Sequence, residues 1–133
     1  MLQDEGGLLY LELEDALSVY GTIFDCSVSE AADQLRSPDG LESALARPRT
    51  YAHYQGADLA LQAAALVHGI AEGQPFIEGN KRTAYLACTA FLGANGYTLD
   101  APQREVADWI ADLSAGLSVD ELAEHIRAAL IQG

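Results

Sequence analysis

Lys81 is the only lysine in this 133-residue chain, and Lys81-Arg82 is its only adjacent pair of cations. The pair lies in the stretch Gln74-Pro75-Phe76-Ile77-Glu78-Gly79-Asn80-Lys81-Arg82-Thr83-Ala84, with a long apolar pattern on either side. The chain has twenty acidic and seven basic residues, a net charge of −13, so a fixed positive site points to an anion. If residues 80–83 open a helix, their N–H groups have no partner in a preceding turn. Those groups and the positive end of the helix dipole make a phosphate site. Gly79, without a Cβ, would let a phosphate approach the backbone. Arg82 can grip phosphate oxygens in a two-pronged bond, and Lys81 can act as a point charge. Glu78 is a hard oxygen ligand suited to Mg²⁺ held by one or two carboxylates and a substrate's phosphates. Phe76, behind the rigid Pro75, is expected to anchor the loop in the core. Each residue alone reads as part of a capped helix start with solvated charges; together, at this spacing, they favour a phosphate. A P-loop is excluded, because Asn80 intrudes before Lys81, Arg82 replaces the Ser or Thr, and a helix rather than a strand precedes.

The stretch resembles the signature of the Fic/Doc (Fido) family, His-Pro-Phe-x-Asp/Glu-Gly-Asn-Lys/Gly-Arg. Lys81 followed by Thr83-Ala84 is similar to the death-on-curing, or Doc, branch, the toxins of bacterial toxin–antitoxin pairs. The resemblance extends to Gly40-Leu41-Glu42-Ser43-Ala44-Leu45-Ala46-Arg47-Pro48 and to Phe91-Leu92-Gly93-Ala94-Asn95-Gly96-Tyr97. It implies the helical Fido fold, ATP and Mg²⁺ as cofactors, and transfer of AMP or phosphate to a protein hydroxyl. The Doc branch includes a kinase acting on a threonine of elongation factor Tu, so that factor and an antitoxin are the implied partners. Carried over residue by residue, Glu78 would help hold the metal, and Gly79, Asn80, Lys81 and Arg82 would bind the nucleotide phosphates. One position departs: the family's catalytic His falls at Gln74. Histidine takes a proton near neutral pH, whereas a glutamine amide has no useful basicity. The resemblance therefore implies a Doc-like toxin that is impaired as written. A non-catalytic Fic-fold protein that binds nucleotide or a partner is the alternative. Many family members carry an inhibitory Ser/Thr-x-x-x-Glu-Gly/Asn segment. Here Glu5-Gly6, Glu72-Gly73 and Glu78-Gly79 are preceded four residues earlier by Met1, His68 and Gln74, so a separate antitoxin is the expected inhibitor.

The elements that must position these residues read as helices. Residues from Leu8 to about Tyr20 have one apolar helical face, with Gly21 as the stop. Residues 21–37 read as irregular, with a short helix over Ser29–Leu35. Ser37-Pro38-Asp39 starts another helix, which Pro48 is expected to end. Residues 48–56 then form a polar, aromatic loop. The resemblance makes that loop a flap, with room for a small hairpin, and Tyr51, His53 and Tyr54 become candidates for target contact. The competing reading is a surface loop whose aromatics cap the core. Ala57 to about Glu72 is apolar nearly all round, the mark of a buried helix, and His68 on it reads as a core or boundary residue. A second buried helix runs from Asn80 to Asn95, antiparallel to the first across the motif loop. A helix to about Ala115 places Trp109 in the core. A last one, to about Ile131, opens on the capping-box spacing of Ser118 and Glu121 and leaves His125 exposed.

No segment calls for a sheet, so the expected fold is an all-α compact bundle forming a single domain over 1–133. No apolar run approaches the ~20 residues that span a membrane, and the start lacks a basic signal region. Cys26 and Cys88, with no metal spacing, read as ordinary thiols of a cytoplasmic protein. Residues 1–35 hold eight acids and no Lys or Arg, which argues against a nucleic-acid surface and suits a basic partner protein or simply a solvated acidic face.

Overall fold

The computed structural model describes residues 1–4 and 6–133. Seven helices make up most of it: α1 (Leu13–Phe24), α2 (Val28–Asp33), α3 (Pro38–Gln55), α4 (Leu59–Gly73), α5 (Asn80–Ala94), α6 (Gln103–Leu113) and α7 (Val119–Ala129). Two small antiparallel ribbons complete it, β1 (Leu2–Gln3) with β2 (Leu9–Tyr10) and β3 (Tyr97–Leu99) with β4 (Leu130–Gln132). The all-α expectation holds, with the ribbons as additions that the sequence did not announce. No helix is long and apolar enough to cross a membrane among the described residues.

The core is organised around α4, which packs against α3, α5, α6 and α7. Its apolar surface on nearly every side accounts for this: Ala60, Ala63, Ala64, Leu66, Val67 and Ile70 are all buried. α5 packs on α4 across the short connection 74–79, so the two run antiparallel and hold the motif loop at one end of the core. His68 is half-buried on α4; its Nδ1 lies 3.0 Å from an Arg47 guanidinium nitrogen, and burial, then the Arg47 charge, keep the imidazole below its ordinary value. Trp109 is buried, and exposed His125 stacks on it. Both cysteines are free thiols, and burial pushes Cys88 up to about 12.

Four boundaries differ from expectation for identifiable reasons. Leu9 and Tyr10 are extended, not helical, because the Asn95 side chain accepts from the Leu9 N–H at 2.8 Å and donates to its carbonyl at 2.9 Å. Gly21 does not stop α1: it is buried, and the carbonyl of Cys26 occupies the space a Cβ would need, 2.4 Å away. The helix ends instead at Asp25, which takes the left-handed conformation with φ 52°. The largest correction is at Pro48. α3 runs straight through it to Gln55, so residues 48–56 are neither a loop nor a flap hairpin. An interior proline costs ~3 kcal/mol, but Leu41, Ala44, Leu45 and Pro48 itself are buried, and α3 packs along α4. Tertiary burial outweighs the broken ladder. At the other end of the chain, Leu130 leaves α7 to pair with Leu99, so residue 131 is in a strand.

Asp58 joins two helices. It caps α4 by accepting from the Leu61 N–H at 2.9 Å, and both its oxygens take bonds from Arg127 of α7, at 2.7 and 2.9 Å. The Arg127 guanidinium holds the Asp58 carboxyl below the usual carboxylate range. A depressed carboxylate contributes stability that is complete above its unfolded value, near pH ~4, and is lost as pH falls through the folded one. The pair is solvent-exposed, so Arg127→Ala is expected to cost at most about 1 kcal/mol at pH 7. The difference between the two proteins should shrink on acidification below that range, read from urea unfolding midpoints at pH 7 and pH 3.

Candidate functional site

The motif loop is held from below by one aromatic ring. Phe76 is fully buried and stacks on Tyr20 of α1, with ring centroids 4.2 Å apart and planes at 13°. The loop is also strapped to the segment before α3. The Pro75 carbonyl accepts from the N–H groups of Arg36 and Ser37, at 2.8 and 3.0 Å, and the Ile77 N–H donates to Gln34 at 2.9 Å. Asn80 braces the loop from within: its Oδ1 accepts from the Phe76 N–H at 2.9 Å and its Nδ2 donates to the Phe76 carbonyl at 3.0 Å. With the Asn80 amide oxygen and one of its amide hydrogens committed in this way, the backbone N–H and the second Nδ2 hydrogen remain for an anion.

α5 begins directly after Gly79, with no side chain capping it. The Thr83 N–H bonds back to the Gly79 carbonyl at 3.0 Å, which leaves the N–H groups of Asn80, Lys81 and Arg82 without a hydrogen-bond partner among the described residues. The site thus offers three orphan donors, one fewer than the four that the sequence suggests. Lys81 and Arg82 are both exposed and make no ion pair among the described residues. Arg82 also lies over the Phe24 ring, its guanidinium carbon 5.6 Å from the centroid. Both cations border a cavity of about 230 Å³ between α5 and α6, whose walls include Tyr85, Leu86, Gln103 and Ile110.

Gly79 has a packing duty besides the one expected of it. It sits at φ 78°, and a Cβ there would lie 2.3 Å from the tip of the Phe24 ring. The missing side chain makes room for Phe24, a packing requirement that the sequence did not announce. Glu78 is exposed in a groove with Tyr20, Phe24, Glu30 and Gln34. Burial, and after it the Glu78 charge, raise the Tyr20 phenol above its ordinary value. Among the described residues no three His, Cys, Asp or Glu side chains converge on a metal position. A divalent ion here would therefore draw on at most two protein carboxylates, Glu78 among them, with the remaining ligands from phosphates and water.

Gln74 caps the end of α4 in the left-handed conformation, φ 48°, with its side chain exposed. Arg36 donates to its backbone carbonyl at 2.5 Å and approaches its Oε1 at 3.4 Å. The fold therefore gathers Gln74, Glu78, Gly79, Asn80, Lys81 and Arg82 on one loop and one helix start. It does not bring Tyr51, His53 and Tyr54 to them. Those residues occupy the last turns of α3, beside the beginning of α4, whereas Gln74 ends α4. A 15-residue helix separates the two ends by about 20 Å. Sequence reasoning missed Arg36, Phe24 and the cavity between α5 and α6. Only Arg36 carried a signal, as the first cation after the uniformly acidic stretch 1–35.

Fold and site together define a helical protein whose motif loop, fixed by aromatic stacking, presents three N–H groups without a partner among the described residues and two exposed cations at the start of α5. The chain belongs to the Fic/DOC family, whose sequence pattern matches residues 10–92. It is also similar to the Toxin Doc of Mycolicibacterium smegmatis, 34% identical over 94 residues that cover 69% of this chain and 68% of that protein.

Proposed function

We propose that this protein is a Doc-like toxin of a toxin–antitoxin pair. It takes ATP at the start of α5 and passes phosphate, or AMP, to a hydroxyl of a target protein, with elongation factor Tu the target class suggested by resemblance. Gln74 slows the step. The observation that carries this reading is the set of three N–H groups and two cations that have no hydrogen-bond or ion-pair partner among the described residues, at the start of α5 beside a rigid loop. The N–H groups, Lys81 and Arg82 would take the phosphate oxygens. The cavity between α5 and α6, largely apolar and bordered by the same cations, suits the nucleoside. A Mg²⁺ held by Glu78 and the nucleotide's own phosphates would neutralise phosphate charge. In phosphoryl transfer most of the catalysis is positioning and charge stabilisation, which this loop is built to supply. At residue 74 no side chain can accept the proton of the attacking hydroxyl, and that one fact favours a second reading, a protein that binds nucleotide without transferring from it.

Lys81→Ala and Arg82→Ala are each expected to weaken ATP–Mg²⁺ binding about tenfold or more, the loss of one charge-assisted bond. The helical circular-dichroism signal should be unchanged, because both side chains are exposed. Isothermal titration supplies the affinities. Unfolding of either variant with no effect specific to the ligand would make these cations structural. Incubation with γ-labelled and α-labelled ATP and a cell extract separates the two readings: labelled protein supports the transferase, and tight binding with no label supports the non-catalytic protein. Co-purification with the product of a neighbouring gene tests the antitoxin; a folded, expressed neighbour that never binds argues against the pair.

A further inference from the structure

We propose that Arg36 is the positioning residue of this site. It fixes the side chain at 74 so that the amide oxygen faces the guanidinium and the amide NH₂ is what an incoming phosphate meets. The choice of ligand rests on the nucleotide reading above; the orientation rests on the geometry alone.

Arg36 forms no ion pair among the described residues, in a chain with twenty carboxylate side chains. It is not free to wander. Its own N–H and that of Ser37 donate to Pro75, and Gln34 accepts from Ile77, so three main-chain bonds tie residue 36 to the motif loop. From that base its guanidinium donates to the Gln74 carbonyl at 2.5 Å and lies 3.4 Å from Oε1. A guanidinium has donors only, so the amide can turn nothing but its oxygen toward Arg36. The Nε2 hydrogens then point away, and they have no partner among the described residues. Satisfying the Gln74 carbonyl, just beyond the end of α4, would account for the first of these bonds, but it does not require the side chain. With its oxygen turned to Arg36, Gln74 presents its NH₂ donors away from the guanidinium. Where a base would remove a proton, it offers a hydrogen bond to a phosphate oxygen, and the unused guanidinium donors bring positive charge to the same place. Residue 74 thereby serves anion binding, and Arg36 acts through it.

The test uses the full chain. In a ¹⁵N spectrum, the Gln74 side-chain amide pair is assigned by its disappearance in Gln74→Ala. It should resonate away from the positions of solvated glutamines, move to them in Arg36→Gln, and be partly restored in Arg36→Lys. Titration with ATP–Mg²⁺ should show Gln74→Ala and Arg36→Gln each weakening binding about fivefold to tenfold. The double variant should be little worse than either single one, because the two act as a unit. An amide pair indifferent to Arg36 overturns the proposal. So does a double variant whose loss is the product of the single losses, or an Arg36→Gln protein that melts earlier yet binds as before. If the folded native protein does not bind ATP–Mg²⁺ but the amide pair still depends on Arg36, the nucleotide reading fails and the orientation by Arg36 stands.

Discussion

Histidine in place of Gln74 is expected to raise transfer from ATP to protein by about 10²–10⁴-fold, the usual contribution of a general base. Three features support so large a gain from one substitution. Residue 74 is exposed and outside the core, so an imidazole displaces no packing. The loop that carries it is fixed by Phe76 and Pro75, so the backbone should hold its position. The other members of the site, Glu78, Lys81 and Arg82, are already present. The gain should disappear in Gln74→His combined with Glu78→Ala, and on removal of Mg²⁺. Expression of the Gln74→His protein without a partner should arrest growth. Labelled ATP with cell extract gives the comparison. A Gln74→His variant that is folded, binds ATP–Mg²⁺ and still labels nothing would refute the missing base as the cause and leave the non-catalytic reading.

Phe76→Ala should have the largest effect on stability. The ring is fully buried, and it is the loop's main link to the core, through Tyr20. Truncating such a ring costs about 3–5 kcal/mol, partly in lost burial and partly in the cavity left behind. For a chain of this size that lowers the thermal midpoint by about 10–20 °C. The same change frees residues 74–79 from their anchor, so ATP binding should fall further than the stability loss alone explains. A midpoint within a few degrees of the native protein would show that the main-chain bonds to Gln34, Arg36 and Ser37 hold the loop without the ring. Phe76→Leu, which keeps most of the volume, should restore both properties in part.

Much of this was legible in the sequence because local signals and burial agreed. α4 is apolar on almost every face and could only be central. Ser37-Pro38 and Ser118 stand where helix caps belong, and each serine is observed accepting from the expected N–H. The motif loop was legible from its residue types. The failures occur where a distant contact overrode a local rule. Pro48 reads as a helix stop, and burial of α3 against α4 carries the helix through it; the supposed flap goes with that error, which moved Tyr51, His53 and Tyr54 to the wrong end of the molecule. Leu9 reads as helical because its amphipathic spacing is good, yet Asn95, remote in sequence, holds its backbone extended. The packing of Gly79 against Phe24 was not legible, because no spacing rule connects the two. The Arg36 contact with Gln74 belongs to the same class, since it exists only once α3 and α4 are packed.

Where the nucleotide binds is the most direct question, and amide chemical-shift mapping answers it. On addition of ATP–Mg²⁺ to the ¹⁵N-labelled native protein, the largest shifts are expected at the backbone amides of Asn80, Lys81 and Arg82. Smaller ones should follow at Tyr85 and Ile110, which line the adjoining cavity. Shifts centred elsewhere, for example around Tyr51 to Tyr54, with the first turn of α5 unchanged, would contradict the account.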